Sequence, residues 1–219
     1  MNDQALAPSS LLCRYCADCL KYPKKWGVKG VKLDETHLLP HFGQLDGQRT
    51  FATIKSAWSE QGLLFDVQVN FKQQSLWCRS TQMLESDRVM FWIDTRNTHS
   101  VHRATRFCHW FLAMPAGGGS DGKQPLATML KINRAKEDSP SLNQVKQQVV
   151  CKLSATGGYH LQLLIPANGL SGWNPDEHKR IGFNYAVVDR ELGWQTLACG
   201  PQLPIEEDPS LWQTLELKT

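Results

Sequence analysis

Nowhere in its 219 residues does this chain hold the run of roughly 20 apolar residues that a membrane-spanning helix needs, and its start, MNDQALAPSSLL, lacks the basic and apolar segments of an export signal. Both absences predict a soluble, cytoplasmic protein with no membrane partner. Blocks of lysine or arginine are missing too. The formal net charge is only +3 and is spread over a mixed sequence, which argues against an electrostatic track for nucleic acid. HExxH and GxxxxGK[ST] are absent, and the Gly-rich stretch from Pro115 to Pro125, PAGGGSDGKQP, spells GxSxG and GxGxxG by spacing alone, without the strand-to-helix setting either motif needs, and reads as a hairpin connection. Two carboxylates such as Asp94 and Asp189 would suit a hydrolase only if folding set them at the right separation, so the balance is against catalysis.

An even cysteine count is lacking as well. Seven cysteines, four of them (Cys78, Cys108, Cys151 and Cys199) scattered singly through strand-like sequence, predict free thiols acting as small apolar side chains. Cys13, Cys16 and Cys19 form a separate group, because CRYCADC repeats the residue every three positions. With His37 or His41 from THLLPH they would complete a four-ligand metal site.

What the chain does contain is strand periodicity. An apolar content of 41% suffices for a substantial core in one domain. In GLLFDVQVNF, Leu63, Phe65, Val67, Val69 and Phe71 alternate with Leu64, Asp66, Gln68 and Asn70, the pattern of a half-buried strand. Similar runs follow at ATIKSAW, DRVMFWID, RFCHWFLAM, ATMLKIN, QQVVCKLS, GYHLQLLIP, RIGFNYAVVD, WQTLAC and LWQTLEL. About ten strands and no long amphipathic helix predict an all-β, antiparallel, jelly-roll-like β-sandwich over 51–219. Residues 1–50, punctuated by Pro and Gly, predict an extended N-terminal arm packing on the body, with KKWGVKGVKL adding a short edge strand. A short helical turn is expected at PANGLSGW.

Polar residues concentrate in SDRVMFWIDTRNTHSVHRATRFCHWF, Ser86 to Phe111, where Asp94, Arg96, His99, His102, Arg103, Arg106 and His109 lie within one hairpin-sized segment. In a helical turn, His99, His102, Arg103 and Arg106 would share one face. In a strand, Phe107, His109 and Phe111 would share one face, and Cys108, Trp110, Leu112 and Met114 the other. His99 and His102 with Asp94 suit a transition metal, but the arginines repel a cation and suit a carboxylate, a sulfate or sugar hydroxyls. The plainer alternative is a structural ion-pair network with Asp87, Asp94 and Asp189. Eight tryptophans offer flat faces for sugar rings, and Trp173 and Trp194, near loops, are the better placed.

The order SDRVMFWIDTR, GYHLQLLIPANGL, RIGFNYAVVDRELGWQT and WQTLEL resembles that of family 9 carbohydrate-binding modules and the related DOMON-like sandwiches. The matching positions are Asp87 and Asp94, Tyr159 and Pro166, Ile181 to Asn184 with Asp189, and Trp212, over roughly Phe51 to Leu217. The resemblance implies a non-catalytic sandwich that binds carbohydrate, an acidic sugar or another small polar or anionic ligand, and a structural calcium. The ligand residues would be Asp94, Arg96, His99, His102, Arg103, Arg106, His109, Trp173 and Trp194. One alternative is a metal-binding protein or metal-dependent enzyme using the His99/His102 segment or the cysteine arm. Another is a haem-binding DOMON-type domain with Met90 or Met114 and a histidine as axial ligands.

Overall fold

The computed structural model describes residues 9–27, 29–142, 147–154 and 157–219. Its strands are β1 (Cys16–Lys21), β2 (Ala52–Ser59), β3 (Gly62–Val69), β4 (Arg88–Asp94), β5 (Cys108–Gly118), β6 (Gln124–Leu130), β7 (Gln148–Leu153), β8 (Tyr159–Pro166), β9 (Arg180–Asp189), β10 (Gly193–Thr196) and β11 (Gln213–Lys218). All ten expected strands are present, and the turn after Pro166 is a 3-10 turn over Ala167–Gly169. No helix among the described residues is long and apolar enough to cross a membrane.

Hydrogen bonding runs β6-β5-β4-β9-β11-β1-β2-β3-β8-β7, with β10 paired to β9. The path doubles over into two layers. Phe65 of β3 therefore stacks on Phe91 of β4, with centroids 4.1 Å apart, and lies 5.3 Å from Phe183 of β9. Alternation puts Leu63, Phe65 and Val67, Val89, Phe91 and Ile93, and Phe183, Tyr185 and Val187 into this one interior. The fold is an all-β sandwich, as the periodicity implies.

The unforeseen strand is β1. It lies between the two layers, pairing in parallel with β11 (Cys16↔Thr214 through Leu20↔Lys218) and with β2 (Leu20↔Ala57). KKWGVKGVKL, where an edge strand was expected, forms none among its described residues. The alternation of β1 is real, but its buried members are Ala17 and Cys19, too small to register as an apolar stripe. Phe71 also departs from expectation. β3 ends at Val69, and Phe71, with φ 66°, turns outward to 75% exposure while Lys72 enters the interior.

The outer faces of the two layers differ. Behind β4, β5 and β9, the residues Met90, Trp92, Trp110, Leu112, Met114 and Ala186 form a second apolar cluster, closed by Ala104, Ile132, Ile205 and Trp212 from loops and the edge of β11. Trp92 and Trp110 stack there at 5.8 Å. The outer face of β2, β3, β8 and β7 combines the polar positions Lys55, Asp66, Gln68, His160 and Gln162 with a small apolar cluster, Ala57 and Leu64 under Leu33, and is crossed by a strap, residues 29–33. Gln162 clamps the strap by accepting from Val31 N at 2.9 Å and donating to Val31 O at 2.6 Å. Gly30 is required at this crossing, since φ is 83° and a Cβ there would collide with the Gln162 carboxamide oxygen.

Candidate functional site

The polar hairpin does not converge. Residues between β4 and β5 follow an irregular loop rather than a helical turn, so the i, i+3, i+4 face expected for His99, His102, Arg103 and Arg106 does not form. Asp94, buried at the end of β4, accepts from Arg96 N at 2.9 Å, Thr98 N at 2.6 Å and Thr98 Oγ1 at 2.7 Å, and so organises the turn. Arg96 donates to Gly172 O at 2.7 Å and lies 4.4 Å over Phe107. His99 accepts from Arg14 at Nδ1, 2.9 Å, and donates from Nε2 to Thr214 Oγ1 at 3.1 Å. Partial burial, then Arg14, lowers its pKa.

The remaining loop residues point elsewhere. His102, 76% exposed at its side chain, meets Asp208 at 3.1 Å. Arg103 donates to Arg134 O at 2.9 Å, and Arg106 lies 3.9 Å from Glu137. His109 follows the strand rule and enters the interior beside Phe111. Its Nε2 accepts from Ser171 N at 2.8 Å, which leaves Nδ1 to donate to Ile93 O at 3.3 Å. Burial pulls this imidazole down to about 4, so it is a neutral structural bridge between layers. Trp173 is half-buried against the same interior.

The expected ion-pair network does exist, but its cation is Lys72 and not the hairpin arginines. Lys72 Nζ lies 3.2 Å from Asp87 Oδ2, 2.9 Å from Asp189 Oδ2 and 3.9 Å from Glu191 Oε2, with Lys72, Asp87 and Asp189 all buried. Burial opposes the ammonium charge, but the hydrogen bond and charge of Asp189, with Asp87, outweigh it, and the Lys72 pKa is raised. The other carboxylate lone pairs are met by Trp77 N and Arg190 N on Asp87 and by Leu192 N on Asp189. These carboxylates are the nearest thing to a calcium donor set, and they do not fit one, because the ammonium already fills the centre of the cluster.

Among the described residues no group of three or more His, Cys, Asp or Glu side chains is disposed to hold a metal. The cysteine repeat fails for a simple reason: three positions along β1 reverse the face, leaving Cys16 exposed and Cys19 buried, with its thiol pushed up to about 12 by burial. His37 bonds Asp34, and His41 bonds Thr50. The haem arrangement fails similarly, since Met90 and Met114 belong to the outer cluster whereas His109 occupies the inner face of β5.

Among the nine candidates, Trp194 fronts an open cleft. This cleft, about 430 Å³, lies between β10 and the loop after it, with Pro201, Pro204, Ile205, Glu206 and Glu207 as its other walls. Arg88, 5% exposed, holds its guanidinium 5.4 Å from the Trp194 ring and donates to Ser86 O at 3.1 Å. Burial raises the Glu206 carboxyl pKa against the pull of Arg88, and Glu207 is held by Asn133 at 2.6 Å. Arg88, Glu206 and Glu207 escaped the sequence reading. The available signal was LPIEEDP, an acidic pair framed by prolines that no strand pattern explains.

The structure superposes on a family 9 carbohydrate-binding module from Caldicellulosiruptor kristjanssonii in complex with cellotriose, with a TM-score of 0.63 at 13% identity, over 93% of this chain and 94% of that one. The fold is that of the family 9 carbohydrate-binding modules. The same module in complex with glucose gives a TM-score of 0.63 over 93% of this chain. A protein from Bacteroides uniformis gives 0.52 at 13% identity, over 83% of this chain and 84% of that one. No family model and no curated protein matches the sequence.

Proposed function

We propose that this protein is a non-catalytic carbohydrate-binding sandwich that holds a neutral sugar ring against Trp194. The observation that carries the reading is the cleft itself, which Trp194 lines together with Glu206 and Glu207, on a fold whose similar structures include a module in complex with cellotriose and glucose. A sugar offers C–H faces to an indole and hydroxyl donors to carboxylate acceptors, so Trp194 supplies stacking while Glu206 and Glu207 accept hydroxyl hydrogen bonds. Arg88 acts from behind, fixing the ring orientation through its position over the indole. The two carboxylates disfavour a uronate at this place.

Isothermal titration against glucose, galactose, xylose, cellobiose and cellotriose tests the proposal. Wild-type protein is expected to bind at least one of them, and Trp194→Ala is expected to weaken that binding by about tenfold or more, equivalent to ~1.4 kcal/mol. Silence across the panel, or full affinity in Trp194→Ala, would overturn it.

A further inference from the structure

A second groove lies on the opposite sheet, where the strap crosses the outer face of β2, β3, β8 and β7. One side opens into a space of about 390 Å³ lined by Lys29, Lys32, Lys55, Lys152 and His160. The other continues past Gly30, Val31 and Gln162 into a less polar space of about 270 Å³, where Trp26 faces Leu64 and Leu164. Gly30 and Val31 wall both spaces, which flank the strap on the same outer face.

The charges in it are unbalanced. Asp66, the carboxylate in the wall, is occupied by His160 Nε2 at 2.6 Å and Gln162 Nε2 at 2.5 Å. Lys55 is paired with Glu35 at 2.6 Å. Lys29, Lys32 and Lys152 form no ion pair among the described residues, and these three charges alone match the formal net charge of the whole chain, +3. They come from separate elements, two from the strap and one from β7, so local sequence does not account for their meeting. Bringing like charges to one cleft is unfavourable unless an anion offsets it. At the other end, the Trp26 indole N–H is buried with no hydrogen-bond partner. That N–H is closed off from the groove, so what this wall offers a ligand is the indole face, against which a sugar ring packs.

We propose that this groove binds a linear saccharide carrying sulfate or carboxylate groups, with Lys29, Lys32 and Lys152 meeting the anionic groups and Trp26 receiving a sugar ring. The site is separate from the Trp194 cleft, and the strap between its halves is fixed by the Gln162 clamp, so the groove exists before ligand arrives.

The test is titration of the full chain with a heparin-derived tetrasaccharide, with neutral cellotetraose and a hexanucleotide as the other arms. The tetrasaccharide should bind and weaken steeply with added salt. The triple variant Lys29→Gln/Lys32→Gln/Lys152→Gln should lose about tenfold or more in affinity and most of the salt dependence. Trp26→Ala should weaken the tetrasaccharide too, while Trp194→Ala should leave it unchanged, so failure here is distinct from failure at the first site. No binding by the wild type, an unaltered triple variant, or loss in Trp194→Ala would overturn the proposal. Equal affinity for the hexanucleotide with the same lysine dependence would replace the saccharide by a general polyanion.

Discussion

The two sheets share one interior but have opposite exteriors. Behind β4, β5 and β9 the outward positions are Met90, Trp92, Trp110 and Leu112, roofed by loops. Behind β2, β3 and β8 they are Lys55, Asp66, Gln68, His160 and Gln162, roofed only by a strap. The strands are equally regular. What decides the exterior is the residue at every second position, and with it whether loop chain can pack there or must leave room for water and ligand. One exterior is roofed by loops that leave the Trp194 cleft at their margin, and the other by the strap.

The largest break in that contrast should come from Lys72→Met. This removes the cation that joins the chain after β3 to the carboxylates at the ends of β4 and β9, stranding Asp87 and Asp189 in the interior. A loss of ~3–5 kcal/mol is expected by urea denaturation, because one half of a buried ion pair remains uncompensated. Calcium added to the unaltered protein should leave its urea midpoint unchanged, since the Lys72 ammonium already occupies the cluster.

Next comes acid sensitivity, which separates the two sheets by sign. His109 has a folded pKa of about 4, below its unfolded value near 6.5, so the folded state binds fewer protons. Its contribution is present above the unfolded pKa and is lost as pH falls toward about 4, a swing of ~3 kcal/mol. His109→Gln should flatten the stability profile in that window. A profile that keeps the same slope would show that another group carries it.

Gln162→Ala ranks third. It frees both backbone groups of Val31 and one oxygen of Asp66, at ~1–3 kcal/mol, and hydrogen exchange should rise in the strap ahead of the sandwich strands. The smallest effect belongs to His160. Its pKa is raised by the hydrogen bond to Asp66, so its contribution is present at low pH and fades as pH rises through the folded pKa. Because the side chain is 45% exposed, solvent screens the pair, and His160→Ala should change stability by less than ~1 kcal/mol, measurable as a reduced acid-side gain.

Legibility in the sequence followed the same division. Strand periods with large side chains, as in β3 and β4, could be read directly, including the face assignment of His109 against Trp110. β1 could not, because Ala17 and Cys19 carry its buried face and CRYCADC invites a metal reading instead. Polar density in the hairpin misled for a related reason. Asp94, Arg96 and Arg103 are spent on backbone groups of an irregular loop, which needs such partners where no ladder supplies them. The groove lysines were invisible because their meeting depends on long-range topology. Trp194 stood out in the sequence as a tryptophan near a loop, but Glu206 and Glu207, which line the same cleft, lie a dozen residues later in a loop that carries no period.

β1 also sets an order of events. Its partner β11 is 198 positions away at the Tyr15–Gln213 contact, and the strand ladder passes from one layer to the other through β11, β1 and β2. As the chain leaves the ribosome, the first strand must wait unpaired on one edge until the last has been made. The seam should therefore close late and slowly. During that wait the exposed thiol of Cys16 and the bare edge beside it are open to a neighbouring nascent chain, so expression yield should respond to synthesis rate more than the finished sandwich's stability would suggest.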